Sequence, residues 1–364
     1  MVWWVWWQGQ AHDHDARNDR FTAFAGVLMV LAVKTSEAAA GVEKPLRVGV
    51  IGAGVMGSNH ARVFMTLPGV KLIGIADPLE VHRKRAIDLI GCRTFSDIDS
   101  LLAEGVDAVT IAAPTHLHHE IALNCMAREI DVLVEKPIAT TVEEGREIVA
   151  AAQRAGVTLM VGHVERFNPA VATIKEALRG EDILSIAITR VGPFPPRMSN
   201  VGVVIDLAVH DIDLIRWFTE SDIVEVQPQL KSAVAEREDI ALLQFRTASG
   251  VLAHINTNWL TPFKARNVTV ATRDKYIMGD LLTRQVTECF GFQPDGSYSM
   301  RHLSVGYDEP LRSELLAFVD AVRTRSTPVV TGDQGVASLE IAIQCLASSP
   351  SAAAAKSRRR VAGG

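Results

Sequence analysis

LRVGVIGAGVMG, residues 46–57, is the stretch of sequence that decides the fold. Its first half is a short run of branched apolar residues, which is typical of a strand buried in a parallel sheet. Its second half is a G-x-G-x-x-G motif with glycines at Gly52, Gly54 and Gly57. A strand that leads straight into such a motif, followed by the helical stretch 58–67, predicts the first turn of a dinucleotide-binding domain.

Each glycine of this motif has a physical reason to be there. Gly52 permits a tight turn, Gly54 lets the backbone approach a pyrophosphate, and Gly57 lets the helix pack against the strand. Val55 and Met56 stand between them at the N-terminus of the helix, where free N–H groups and the positive end of the helix dipole favour phosphate. We therefore predict that these residues bind the phosphates of a dinucleotide.

The next strand, VKLIGIAD, ends at Asp77, 20 residues after Gly57. A carboxylate at this point accepts hydrogen bonds from the adenosine ribose hydroxyls and repels a 2′-phosphate, which predicts NAD rather than NADP. The basic run Arg83-Lys84-Arg85 could be raised in favour of NADP. We expect that run on the exposed face of the following helix, where charge runs usually lie.

Strands and helices keep alternating up to residue 163. Further strands are predicted at 106–115, 131–137 and 157–163, with helices at 116–127 and 141–156. This alternation indicates a parallel, doubly wound sheet that binds ligands at the carboxyl ends of its strands. We predict an NAD-binding Rossmann domain over 46–163. The residues at such strand ends are Asp77, Pro114, Thr115, Glu135, Lys136 and His163.

The second half of the chain has a different pattern. After the helical stretch 168–180 come longer extended stretches, and Ala-Ser-Gly at 248–250 separates two of them as a hairpin turn would. This pattern predicts an α+β substrate-binding domain over 164–349 with an open, mainly antiparallel sheet. Helices cover one face of such a sheet, and the other face is free to pair two subunits. We therefore expect a homodimer or homotetramer.

Composition excludes several classes of protein. The 364 residues suit two domains, and the net charge of -5, with acids and bases well mixed, argues against nucleic acid or a membrane as partner. The four cysteines contain no C-x-x-C pair, which argues against a zinc site and a disulfide framework. We expect a cytoplasmic protein.

The two ends of the chain stand apart from these domains. The apolar run at 21–33 is too short to span a bilayer and imitates a secretory signal, although acidic residues precede it. We expect 1–45 to be a dispensable extension, with Met29 as a possible true start, and a secreted form is the alternative. The basic, low-complexity stretch 350–364 predicts a disordered tail.

Oxidation of an alcohol needs a group that accepts the hydroxyl proton, and two residues are candidates. Lys136 lies at a strand end, where partial desolvation suits a proton acceptor; the alternative is a surface lysine paired with Glu135. His210 titrates near neutral pH; the alternative is a core histidine. Asp206 and Asp213 lie on the same helical stripe as His210, which favours the wall of a cleft.

A cluster of histidines, His116, His118 and His119, lies beside Glu120 and could suggest a metal. Adjacent histidines at a helix start rarely share one coordination sphere, and hydride transfer needs no metal. We expect no metal and place Thr115 and His118 near the cofactor.

The motifs together resemble those of the glucose-fructose oxidoreductase / inositol dehydrogenase / rhizopine catabolism (Gfo/Idh/MocA) family. The resemblance runs from about residue 46 to about residue 349 and rests on the glycine motif, on Glu135-Lys136-Pro137 and on Asp206-x-x-x-His210. It implies that Lys136 and His210 contact the reacting hydroxyl with Asp206 close by, and that Arg166 and Asn168 hold the substrate. One departure is Val201, where the family often has glycine.

Longer segments, among them GHVERFNPAV at 162–171 and NWLTPFKAR at 258–266, resemble the family members that oxidise the 3-hydroxyl of UDP-N-acetylglucosamine with NAD. The resulting ketone serves 2,3-diamino sugar synthesis for lipid A or surface glycans. Lys264 and Arg266 are candidate diphosphate and sugar contacts, or else an exposed basic strand end. Two alternatives stay open, a dehydrogenase of a free sugar or inositol and a non-catalytic NAD-binding regulator.

Overall fold

The computed structural model describes residues 44–195 and 201–348. Its first sheet has six parallel strands in the order β3-β2-β1-β4-β5-β6. The strands are β1 Leu46–Ile51, β2 Val70–Ala76, β3 Thr94–Phe95, β4 Ala108–Ile111, β5 Asp131–Glu135 and β6 Leu159–Gly162. The order reverses between β1 and β4, which is where doubly wound sheets bind dinucleotides. The predicted fold class is confirmed; only β3, two residues long, was not predicted.

Helices connect these strands, and all but the short third helix were expected from the sequence. They are α1 Val55–Phe64, α2 Glu80–Ile90, α3 Ile98–Ala103, α4 His118–Met126 and α5 Val142–Ala155. Helix α5 shows why its bounds were predictable. Thr141 and Glu144 form a reciprocal capping box at its start, and Gly156 ends it with a φ of 66°.

The second sheet has eight strands in the order β14-β13-β12-β11-β7-β10-β9-β8. Neighbours are antiparallel except the parallel pair β7 and β10, so the predicted mainly antiparallel sheet is confirmed. The elements, with the intervening helices, are α6 Pro169–Ala177, β7 Ile183–Val191, α7 Val209–Thr219, β8 Ile223–Lys231, β9 Ile240–Thr247, β10 Leu252–Asn258, β11 Ala265–Thr272, β12 Lys275–Asp280, β13 Gln285–Phe290 and β14 Ser299–Leu303.

Part of this sheet differs from the sequence-based expectation. The single extended stretch expected at 267–279 is two strands, because the Thr272 hydroxyl accepts hydrogen bonds from the N–H groups of Asp274 and Lys275 and closes a turn. Strands β13 and β14 were not predicted. The hairpin of β9 and β10 is confirmed.

The end of the chain returns to the first sheet. Helices α8 Pro310–Thr324 and α9 Gly332–Ala347 follow β14, and Leu315 and Phe318 of α8 are fully buried in the core around the parallel sheet. Helix α9 contributes Leu339 to that core and Ala342 to the core of the second sheet. The division of the chain after residue 163 stays a prediction.

Within 44–195 and 201–348, no helix is both long enough and apolar enough to cross a membrane. The predictions for residues 1–43, including a start at Met29, and for the tail 350–364 lie outside the described residues.

Candidate active site

Two glycines of the turn are required by the backbone, whereas the third leaves space for a ligand. Gly52 has a φ of +99°, and a Cβ on Gly57 would lie 1.8 Å from the carbonyl oxygen of Gly52, so the backbone requires both glycines. Gly54 has an ordinary φ of -67°, and no atom of the described residues lies within 4 Å of the place where its Cβ would be. The space over Gly54 therefore fits the pyrophosphate of NAD.

The start of α1 faces the same space. No side chain caps this helix, so its first N–H groups remain available to an anion. The side chains of Val55 and Met56 are exposed, although both are large and apolar. Apolar residues at the start of a phosphate-binding helix suit contact with a bound dinucleotide.

Asp77 follows β2 and is anchored opposite the glycine turn. Its carboxylate accepts hydrogen bonds of 2.8 Å from the N–H groups of Ala53 and Leu79, and His82 Nδ1 lies 3.2 Å away. These contacts fix the carboxylate at the strand end. Oδ1 accepts only from Leu79 and keeps a lone pair for a further donor, whereas Ala53 and His82 both lie on Oδ2.

Only part of the basic run after Asp77 lies on the exposed face of its helix, as we had expected for all three residues. Lys84 and Arg85 are exposed as expected, but Arg83 bends back and donates to the carbonyl oxygens of Asp77 and Pro78. A cation therefore lies beside the Asp77 carboxylate, because the two open carbonyls at the end of β2 attract its guanidinium.

Lys136 follows β5 directly. Its ammonium donates to the backbone oxygen of Asp206 at 2.7 Å and lies 3.3 Å from Asp206 Oδ1. Asp206 is in a π-helical turn, Val204–Ala208, that leads into α7. The Lys136–Pro137 peptide bond is cis, and His118 lies between the carbonyl oxygens of Pro137 and Ala113 at 3.0 and 2.9 Å. His118 is therefore buried behind Lys136, where it supports the chain.

His210, one helical turn after Asp206, is buried. Burial, and next the positive charges of Lys136, Arg190 and Arg266, hold its pKa well below 6.5. The ring is therefore neutral at neutral pH and can accept a proton. The ring of His163, at the end of β6, makes an edge contact with it at 6.1 Å between centroids.

Arg166 and Asn168, which we predicted to hold the substrate, both have partners inside the protein. Arg166 is buried, and its guanidinium makes two 2.7 Å hydrogen bonds to Asp213. Asn168 caps α6 and donates to the carbonyl oxygen of Leu281. Internal partners occupy both side chains, so these contacts support a positioning role. Asp213 is likewise part of this buried network and not of a cleft wall.

Four charged groups form a second network that the sequence did not reveal. Arg190 is buried and pairs with Asp211 and Glu165, and Glu165 also accepts a 2.9 Å hydrogen bond from Arg266. The one available signal was the alternation of β7, which puts Arg190 on the same buried face as Ile186 and Ile188. Lys264 is exposed, whereas Arg266 is half-buried.

The remaining predicted contacts lie close to the same strand ends. Pro114 is exposed and Thr115 half-buried at the start of the turn after β4. Glu135 is buried, and its Oε1 lies 2.9 Å from His60 Nε2 in α1, so it faces away from the open site. His119 lies 2.7 Å from Glu147, which separates it from His118.

Two family models match the chain. The model of the Gfo/Idh/MocA oxidoreductase family, NAD-binding Rossmann fold, matches residues 46–163. The model of the GFO/IDH/MocA C-terminal domain matches residues 185–277. The two matches cover the sheet of the glycine turn and most of the second sheet.

Similar proteins include dehydrogenases of two kinds of substrate. The chain is 31% identical to UDP-N-acetylglucosamine 3-dehydrogenase of Acidithiobacillus ferrooxidans over 65% of this chain and 74% of that protein. It is 35% identical to inositol 2-dehydrogenase of Rubrobacter xylanophilus over 60% of this chain and 66% of that protein. The solved structure of the Acidithiobacillus enzyme, GnnA, matches with a TM-score of 0.79 and 27% identity, over 84% of this chain and 98% of that chain.

Proposed function

The chain belongs to the Gfo/Idh/MocA family of NAD-dependent oxidoreductases, and on that premise we propose that it oxidises the 3-hydroxyl of UDP-N-acetylglucosamine to the ketone. The observation that carries the proposal is a tethered cation, Arg266, on the same site as Lys136, Asp206 and His210. The product would feed the synthesis of a 2,3-diamino sugar for lipid A or a surface glycan.

His210 is suited to take the hydroxyl proton. NAD, when bound, accepts the hydride from the carbon. The neutral imidazole of His210 has one free lone pair, and we assign it to Nε2 because Nδ1 is fully buried. Lys136, held by Asp206, can donate a hydrogen bond to the reacting oxygen and stabilise the charge that develops there.

Arg266 supports an anionic substrate. Among the described residues only its Nη1 has a partner, Glu165, which Arg190 neutralises from the other side, so most of its five N–H donors are unpaired there. Arginine binds diphosphates well because its planar fork can donate two parallel hydrogen bonds. Lys264 is exposed two residues earlier and could extend the same contact.

A second candidate substrate is inositol or a free sugar. The similarity to the Rubrobacter inositol 2-dehydrogenase favours it, because the glycine turn and Lys136 would serve either substrate equally. An uncharged polyol can accept hydrogen bonds from Arg266 but carries no negative charge to pair with its guanidinium.

Formation of NADH, followed by absorbance, tests the proposal with UDP-N-acetylglucosamine, its uronic acid analogue, glucose and inositol. We expect the UDP-sugar to have the highest kcat/KM. Arg266→Ala should raise KM for the UDP-sugar by about tenfold or more, with a smaller effect on kcat. Lys264→Ala is the matched control for loss of a cation nearby. If the enzyme reduces NAD with inositol alone and Arg266→Ala has no effect on this activity, the second candidate substrate replaces the UDP-sugar.

We also propose that two subunits pair through the outer face of the second sheet. Its middle strands present the small residues Ala187 and Thr269 there, with His254 opposite Ala187 on the next strand. Leu252 and Leu242 are half exposed on the same face. A flat face with small central residues suits packing against a second copy.

We place the protein in the cytoplasm, which the four free cysteines support.

A further inference from the structure

Behind the active-site strand end lies a buried cluster that the proposed reaction does not use. His60 of α1, Glu135 of β5 and Glu314 of α8 bring one ligand atom each to within 4.8 Å of one another. Glu314 is completely buried, and neither of its oxygens finds a hydrogen-bond partner among the described residues. A buried carboxylate without partners is costly, so this arrangement requires an explanation.

Two of the three groups explain each other. His60 Nε2 lies 2.9 Å from Glu135 Oε1, and the backbone N–H of Lys136 donates to Glu135 Oε2 at 3.3 Å. Burial opposes the charge of Glu135, but the interactions with His60 and Lys136 outweigh it and hold its pKa below the ordinary value. Glu135 is therefore the ionised member of the cluster.

Glu314 is in the opposite situation. Burial, and next the negative charge of Glu135, raise its pKa well above 4.5. Among the charged groups on elements packed against α8, Glu165 and Arg166 pair with Arg190 and Asp213, and Arg62 pairs with Glu309. None of these neutralises Glu314, so its carboxyl is stable only as the acid.

We propose that His60, Glu135 and Glu314 form a proton-sharing site in which Glu314 holds the proton. The site keeps a single negative charge behind Lys136, where the cofactor helix α1, the active-site strand β5 and helix α8 meet. Glu314 is a positioning residue: its acid proton can be donated to the Glu135 carboxylate, whose ligand atom lies within 4.8 Å of its own.

Infrared spectroscopy of the full-length chain in D₂O tests the proton directly. We expect a carbonyl band of a protonated carboxylic acid at neutral pH that is absent in Glu314→Gln and shifted in Glu314→Asp. Glu340→Gln, which removes a surface carboxylate paired with Arg146, is the matched control and should keep the band. A spectrum of Glu314→Gln identical to that of the wild type overturns the proposal, and so does a wild type without any such band.

Stability against pH gives a second readout. A carboxyl whose folded pKa is raised favours the fold while protonated, and this contribution is lost as pH rises from its unfolded pKa toward the folded one. The Tm of Glu314→Gln, which cannot ionise, should therefore gain on the wild type as pH rises above the ordinary carboxyl pKa of about 4.3. Glu340→Gln should follow the wild type. A Tm difference between Glu314→Gln and the wild type that does not change with pH overturns the proposal. If Zn²⁺ or Mn²⁺ raises the Tm of the wild type but not that of Glu314→Gln, a metal site replaces the proposal.

Discussion

Lys136 donates to both the backbone oxygen and the side chain of Asp206, 70 residues later in the chain. The contact joins the end of β5 to the π-helical turn before α7. One consequence is that Lys136 is held against the segment that carries His210 one helical turn after Asp206. Another is that Asp206 can shape the site through its backbone as well as its carboxylate.

Removal of either polar group should reduce turnover and spare the cofactor. We expect Lys136→Met and His210→Asn each to lower kcat by on the order of a hundredfold or more, because each removes a group that stabilises charge or takes the proton. The double variant should lose less than the product of the single losses, since both groups act on one hydroxyl. Stopped-flow turnover and NAD titration measure the two effects separately. Near-normal turnover in both single variants would contradict the assignment.

The pH dependence should follow the lowered pKa of His210. A histidine whose folded pKa is depressed keeps a neutral, proton-accepting ring until pH falls through that lowered value. The kcat/KM profile should therefore stay flat as pH falls through 6.5 and decline only below it. In Lys136→Met, one of the positive charges that depress this pKa is gone, so the His210 ring resonance should titrate at higher pH by NMR. An unshifted resonance would show that Lys136 does not act on His210.

The glycines of the cofactor turn should separate folding from binding. A methyl group on Gly54 meets no described atom, so Gly54→Ala should change the free energy of unfolding by less than about 1 kcal/mol while weakening NAD binding by about tenfold or more. Gly57→Ala should cost several kcal/mol or fail to fold, because its Cβ would overlap the oxygen of Gly52. Equal NAD affinity of Gly54→Ala and wild type would place the pyrophosphate elsewhere.

Asp77 should discriminate between the two dinucleotides. Asp77→Ala should weaken NAD and strengthen NADP relative to it, because the carboxylate that repels a 2′-phosphate is gone while the Arg83 guanidinium remains nearby. Comparison of kcat/KM for the two cofactors measures the change. Arg83→Ala in the same background should reverse the gain for NADP. A wild type that already prefers NADP would show that Asp77 does not select the cofactor.

The outer face of the second sheet should control assembly. Leu252→Glu puts a charge on the proposed subunit interface and should yield monomers by light scattering. Leu89→Glu, on the equally exposed surface of α2, should leave the mass of the wild type unchanged. If Leu252→Glu has the same mass as an oligomeric wild type, the interface lies elsewhere.

Local patterns predicted a large part of this molecule. The glycine motif, the alternation up to residue 163 and the helical pattern at 141–156 depend on neighbours a few residues apart, and the structure has the sheet, the turn and the helix where they were expected. Strands β13 and β14 were not predicted, because pairing across the sheet, and not their own apolar pattern, keeps them extended.

The candidate site, like the fold, was predicted in part from the sequence and decided in part by the tertiary structure. The sequence by itself determined that Gly52 and Gly57 must be glycine, that Asp77 ends a buried strand and that Lys136 and His210 are candidates for proton transfer, because these follow from backbone geometry and side-chain chemistry. Only the tertiary structure decided that Arg166 pairs with Asp213, that Arg266 shares Glu165 with Arg190 and that Glu314 lies unpaired beside Glu135. Such partners are separated by tens to hundreds of residues, and the free energy of a buried charge depends on what folding places next to it.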